Sequence, residues 1–432
     1  MRSAFTRTGH LLIAITFGCG ATISCLAQEL APSPADLATP AFEELPELQA
    51  SEILKPEVLK GPYHTVREPV PTFSGMNQFV VDSEFGVFPA EGNEMVLRRV
   101  KEVYAIAQLK DVSRTDQFKD SLVAAAKSPL NAAKNIVKDP VQAVSNVPKG
   151  VMKFMNRAGN TVKNIGKKEP GSEADGNKME QVIGYSDKKR KIAVSMGIDP
   201  YSSNAVLQKE LEGIAWASWA GGFTFRAATM PISGPVGIAL AVTNVSGTLD
   251  KLLSEKSPAE LREINRAALR AMGASEQDTE RFLSNDAFSP THSTALVLNL
   301  KSLANVANRA AIVRLAANHS SNEADALFCV QTAALMGRIH ADEMPLARIE
   351  MLGDFPVCIA QNGTVVLALQ WDYAAWTAGA ASVTAEVQKL AETKGNKGVL
   401  IALSGDASPR LKQELMSRGF TLHDRVSPGP LK

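Results

Sequence analysis

Ser404-Gly405-Asp406-Ala407-Ser408 is the stretch best placed to do chemistry. It follows an apolar, strand-like run at 398–403 and precedes a helix opened by Ser408-Pro409. Ligands of α/β sheets gather at such strand ends. A serine and its neighbouring backbone N–H groups at a helix start can hold an anion. Asp372 follows another strand-like run and is expected nearby. Asp372, Ser404, Asp406 and Ser408 are therefore candidate ligand-binding residues, for an enzyme or a small-ligand-binding protein. The same residues also make sense as an ordinary loop, with Ser408 capping the helix, Gly405 permitting the turn and Asp406 solvated. No base or nucleophile pairs with them by spacing.

A second chemistry lies in the charge. On a wheel of 3.6 residues per turn, Lys149, Lys153, Arg157, Lys163 and Lys167 share one arc of the stretch 148–167, while Val151, Phe154, Met155, Val162 and Ile165 lie opposite. Nine basic residues against one acid, Asp139, give 127–168 a net charge of +8. Such a helix suits an anionic lipid or cell-envelope surface; a protein partner, or packing on the protein's own core, is also consistent with it. Lys188-Lys189-Arg190-Lys191 adds a second basic cluster.

The usual catalytic signatures are absent: no G-x-S-x-G, Walker A loop, G-x-G-x-x-G, H-E-x-x-H or C-x-x-C occurs. His319 with Glu323, and His340 with Asp342 and Glu343, lack convincing ligand geometry. The expectation is no catalytic residue, no metal and no cofactor.

These residues need elements to hold them. Residues 28–75 contain eight prolines and eight acids against three bases, which predicts an extended acidic linker. Residues 76–168 read as a small β element, a helix at 94–109 and three short helices restarted by Pro129, Pro140 and Pro148. A linker at 169–178 precedes a helical domain, 179–343, whose starts are legible. Ser257-Pro258-Ala259-Glu260 forms a capping box, while Ser275 and Ser320-Ser321-Asn322-Glu323 open further helices. The apolar helix from 204 is expected at the domain's centre. Residues 344–427 read as ββαβαβ, with Asn362-Gly363 as a hairpin turn. The expected fold is mainly α: a multi-helix domain followed by a small C-terminal α/β domain.

The first residues suggest where the chain works. Arg2 and Arg7 precede an uncharged run at 11–23, and Cys25-Leu26-Ala27 places small residues before Gln28. This is the pattern of a signal peptide, 1–27, with cleavage after Ala27, so a periplasmic or extracellular protein is expected, and one peripheral to a membrane is consistent with it. Loss of two arginines takes the net charge from +1 to −1, which argues against a protein built for nucleic acid. Cys329 and Cys358 remain, either as a disulfide or as two buried thiols. The preferred reading is a non-enzymatic binding or scaffolding protein. Intact mass of the exported chain should begin at Gln28; a lipidated Cys25 would overturn that cleavage site.

Overall fold

Alternation of buried and exposed residues builds the first sheet. The computed structural model describes residues 41–127, 173–226, 245–426 and 431–432, apart from 354 and 396. Strands β1 (Glu47–Gln49), β2 (Lys60–Gly61), β3 (His64–Val66), β4 (Pro69–Phe73), β5 (Met76–Ser83) and β6 (Gly86–Glu91) form one antiparallel sheet. Its order is β1-β4-β5-β3-β2, with β6 on β5. Short helices α1 (Ala50–Ile53) and α2 (Pro56–Leu59) lie between β1 and β2.

Much of this sheet falls where a linker was expected. The prolines that suggested disorder are placed harmlessly: β4 carries Pro69 and Pro71 at exposed positions, while the alternate residues Val70 and Thr72 are buried. A period-2 core face survives even though two ladder donors are lost. Ala50, Leu54, Val58, Val66, Val70, Phe79 and Val81 then share one core.

Helix α3 (Asn93–Arg114) packs on that core through Val96 and Val100. Its other side, with Ala105, Ile106 and Leu109, meets a helical cluster. That cluster contains α4 (Asp116–Lys127), α5 (Glu173–Ser195) and α6 (Ala205–Ala220). Asn204 caps α6 by accepting from Val206 N and Leu207 N. Leu207, Leu211, Ile214 and Ala217 are fully buried, so α6 is the centre of this cluster.

Six further helices follow: α7 (Ser246–Glu255), α8 (Pro258–Ala271), α9 (Glu276–Leu283), α10 (Pro290–Ser302), α11 (Ala311–His319) and α12 (Glu323–Arg338). The capping box is in place, with Ser257 Oγ accepting from Glu260 N and Glu260 Oε2 from Ser257 N. Ser275 and Asn322 cap α9 and α12. A π-helical turn, Ile339–Glu343, ends the run.

The second sheet comprises β7 (Leu346–Leu352), β8 (Phe355–Ala360), β9 (Val365–Leu369), β11 (Val399–Leu403) and β13 (Thr421–His423), in the order β13-β11-β9-β8-β7. The β9, β11 and β13 strands run parallel, and β7, β8 and β9 antiparallel. Helices α13 (Ala378–Thr393) and α14 (Pro409–Ser417) make the crossovers. Two-residue strands β10 (Tyr373–Ala374) and β12 (Asp406–Ala407) pair beyond the strand ends.

The expected fold class needs correction. Helix accounts for 54% and strand for 19%, in several sheets, so a mainly α fold with one small C-terminal α/β domain matches only in part. The C-terminal part opens with three long strands before its first helix, not two. Its sheet is also not a separate appendage. Cys358, Ala360, Val366, Ala368, Leu400 and Ala402 join the core of α8–α12. The alternate residues, Val357, Ile359, Val365, Leu367 and Ile401, face α13 and α14.

The possible disulfide is likewise corrected. Cys329 and Cys358 are free, buried thiols in that shared core. Cys329 Sγ lies 3.6 Å from Ser320 Oγ. Burial raises both thiols, to about 11 and about 12, so they serve as small apolar side chains.

The sheet-to-helix joint contains charge. Arg99 of α3 donates to Glu102 Oε2 at 2.8 Å and to Glu323 Oε2 of α12 at 3.1 Å. Glu102 also accepts from Ser202 Oγ at 2.5 Å and Asn204 Nδ2 at 3.0 Å. Both Arg99 and Glu102 are buried. Removing Glu102 leaves Arg99 paired with Glu323 alone and takes the acceptor from Ser202 and Asn204, so Glu102→Ala should cost about 2–3 kcal/mol in denaturant unfolding. Glu102→Gln, which keeps an acceptor, should cost less; wild-type stability in both would refute this role.

Candidate functional site

The strand-end residues singled out by sequence do come together. β10 and β12 pair Tyr373 with Asp406 and Ala374 with Ala407. Asp406 N donates to Asp372 O at 3.0 Å. Gly405 lies so close to the Asp372 backbone that any Cβ there would collide with it.

What these groups bind is the chain itself. Ser404 Oγ donates to Trp371 O at 2.8 Å. Asp406 Oδ1 accepts from Arg425 at 2.8 Å. Ser408 caps α14, accepting from Leu411 N at 3.0 Å, and its hydroxyl donates to Glu43 Oε2 at 2.6 Å. Asp372 Oδ2 accepts from Asn77 N and Asn93 N, both at 3.0 Å.

The β4–β5 hairpin explains this crowding. Its turn residue Gly75 sits at φ 84°, and its Cα faces the Trp371 ring so closely that a Cβ would lie 2.6 Å from Cγ. Gly75 O accepts from Asp372 N at 2.8 Å. The hairpin thus covers the strand end. Topology contributes as well: Val387 and Ala391 of α13 and Leu411 and Leu415 of α14 lie on the same sheet face. Ligand crevices open where successive crossovers diverge to opposite faces, and these two do not diverge.

Asp372 is electrostatically unusual. Burial pushes its carboxyl up to about 7, with Glu94 and Glu91 adding to the rise, while the Asn77 and Asn93 N–H groups favour ionisation.

Sequence reading missed a second polar group. It centres on His292 of α10, which is buried with no hydrogen-bond partner at either ring nitrogen. Burial lowers its imidazole below the usual value and the Arg98 charge acts in the same direction; Asp199, Glu323 and Glu94 oppose them. Around it, Asp199 Oδ1 accepts from Thr291 Oγ1 at 2.5 Å, and Gln331 donates to Glu94. The visible signal was Arg98 and Arg99 set between Glu94 and Glu102 on α3. A helical wheel assigns such residues to a solvated face, and only packing on both sides buries them.

Among the described residues no cluster of three or more His, Cys, Asp or Glu side chains could hold a metal ion. The basic candidates Lys149, Lys153, Arg157, Lys163 and Lys167 lie outside the described residues. Comparison with family models, curated proteins and solved structures gives no match.

The raised Asp372 carboxyl has a pH signature. The folded state keeps a proton between about pH 4 and 7 that the unfolded state releases, so this group's stabilising contribution is full below about pH 4 and is lost as pH rises through 7. Asp372→Asn stays neutral and should flatten that part of the profile. Urea midpoints at pH 4.5, 6 and 7.5 test it; parallel profiles for wild type and variant would refute the assignment.

Proposed function

We propose that this chain is an exported, non-enzymatic binding or scaffolding protein that meets an anionic membrane or envelope surface through residues 128–168. The +8 charge of 127–168, with Lys149, Lys153, Arg157, Lys163 and Lys167 on one arc of a wheel over 148–167, carries the reading. The leader-like residues 1–27 support export, and export favours a lipid or envelope surface over nucleic acid.

The framework around the segment is compatible with such a role. The chain leaves the described structure at Lys127, the end of α4, and returns at Glu173, the start of α5. Both helices pack on α6, so the segment is anchored at each end to the same helical cluster. Three residues of the other basic cluster are paired within the chain: Lys189 with Glu212, and Arg190 and Lys191 with Asp187. No helix among the described residues is long and apolar enough to cross a membrane. The alternative, an enzyme or small-ligand protein centred on Asp372, Ser404, Asp406 and Ser408, has less support, because each of these side chains is already bonded within the chain.

Each basic residue near an anionic surface contributes about 1 kcal/mol, reduced by salt. The mature protein should float with phosphatidylcholine vesicles only when phosphatidylglycerol is included, and raised salt should release it. Replacing Lys149, Lys153, Arg157, Lys163 and Lys167 together by Gln should abolish flotation. Equal failure to float with both vesicles would sink the proposal.

A further inference from the structure

The Glu43 carboxylate occupies the place where the strand-end loops would hold an anion. Its Oε2 accepts from Trp376 N at 2.5 Å and from Ser408 Oγ at 2.6 Å. Its own N–H donates to Trp376 O at 2.9 Å. The two donors belong to separate loops, one before α13 and one before α14. Both are well built: Trp376 and Ser408 are buried, and the Arg418 guanidinium stacks over the Trp376 ring at 4.6 Å.

The segment bearing Glu43 is held very differently from its seat. Residues 42–46 form neither helix nor strand, and none of them is buried. Phe42 is exposed. Immediately afterwards the chain is locked: Pro46 O accepts from Thr72 N, β1 pairs with β4, and Ala50 is fully buried. One end of the segment is therefore hinged at Pro46, and Glu43 is its catch. None of its own side chains is fully buried, which favours opening without unfolding.

We propose that residues 42–46 form a releasable strap over a two-donor carboxylate notch, made of the Trp376 N–H and the Ser408 hydroxyl, which Glu43 fills from within the chain. The strap is an autoinhibitory contact: an acidic side chain or chain terminus of a protein partner can use the notch only when Glu43 leaves it. This does not rest on the membrane-surface reading, since neither the strap nor the notch involves residues 128–168.

Amide hydrogen exchange of the intact mature protein tests it. The Trp376 amide should exchange by local opening, at least about a hundredfold faster than the amides of β9 and β11 and independently of low denaturant. Glu43→Ala should speed Trp376 exchange by a further factor of about ten, with Glu43→Gln intermediate, while unchanged protection of β9 and β11 shows that each variant is folded. Added acetate should slow Trp376 exchange in Glu43→Ala relative to chloride at the same ionic strength. A Trp376 amide that exchanges only with global unfolding, or one indifferent to Glu43→Ala, overturns the strap. Failure of acetate to restore protection overturns the notch.

Discussion

A single buried carboxyl ties the molecule together. Asp372 stands where β9 has ended, and its Oδ2 accepts the backbone N–H groups of Asn77 in β5 and Asn93 at the start of α3. Its own backbone bonds Gly75 on one side and Asp406 on the other. Four segments from opposite ends of the chain therefore converge on one residue. An acceptor must be present there, because two buried N–H groups without one would be costly. While it serves this purpose, Asp372 Oδ2 is committed to the chain's own N–H groups.

Sharing of sheet faces has a similar effect on the rest of the fold. β8, β9 and β11 place alternate residues in two cores, one with α8–α12 and the other with α13 and α14. Neither face is left to water, which is why the strands are almost continuously buried. The helices and the C-terminal sheet thus depend on one another for their hydrophobic burial. The first sheet is joined to them through α3 and by Leu327 of α12, which enters its core. The chain's end is also held there, with Lys432 Nζ donating to Ser51 O at 2.6 Å.

Local signals were legible wherever local physics decides. Ser257, Ser275, Asn322 and Ser408 each cap a helix as their spacing requires. Asn362-Gly363 turns β8 into β9, with Gly363 at φ 89°. The strand-end candidates were also found as neighbours, since a loop after one strand of a parallel pair lies beside the loop after the other. Their occupants were not legible. Nothing near Ser408 in sequence points to Glu43, 365 positions away, and nothing near Asp372 points to Asn77. The same blindness turned 47–73 into a linker: composition measures how much apolar surface a segment has, not whether a distant helix covers it.

By itself, then, the sequence determined helix starts, hairpin turns, the leader-like pattern of 1–27 and the +8 charge of 127–168, because each depends on residues close together in the chain. Only the tertiary structure decided that the two cysteines are free, that Arg99 and Glu102 are buried together, and that a proline-rich arm completes a sheet. It also decided that the candidate anion site is filled by the protein's own carboxylates. Burial and pairing are properties of what comes from far along the chain, and no local pattern encodes them.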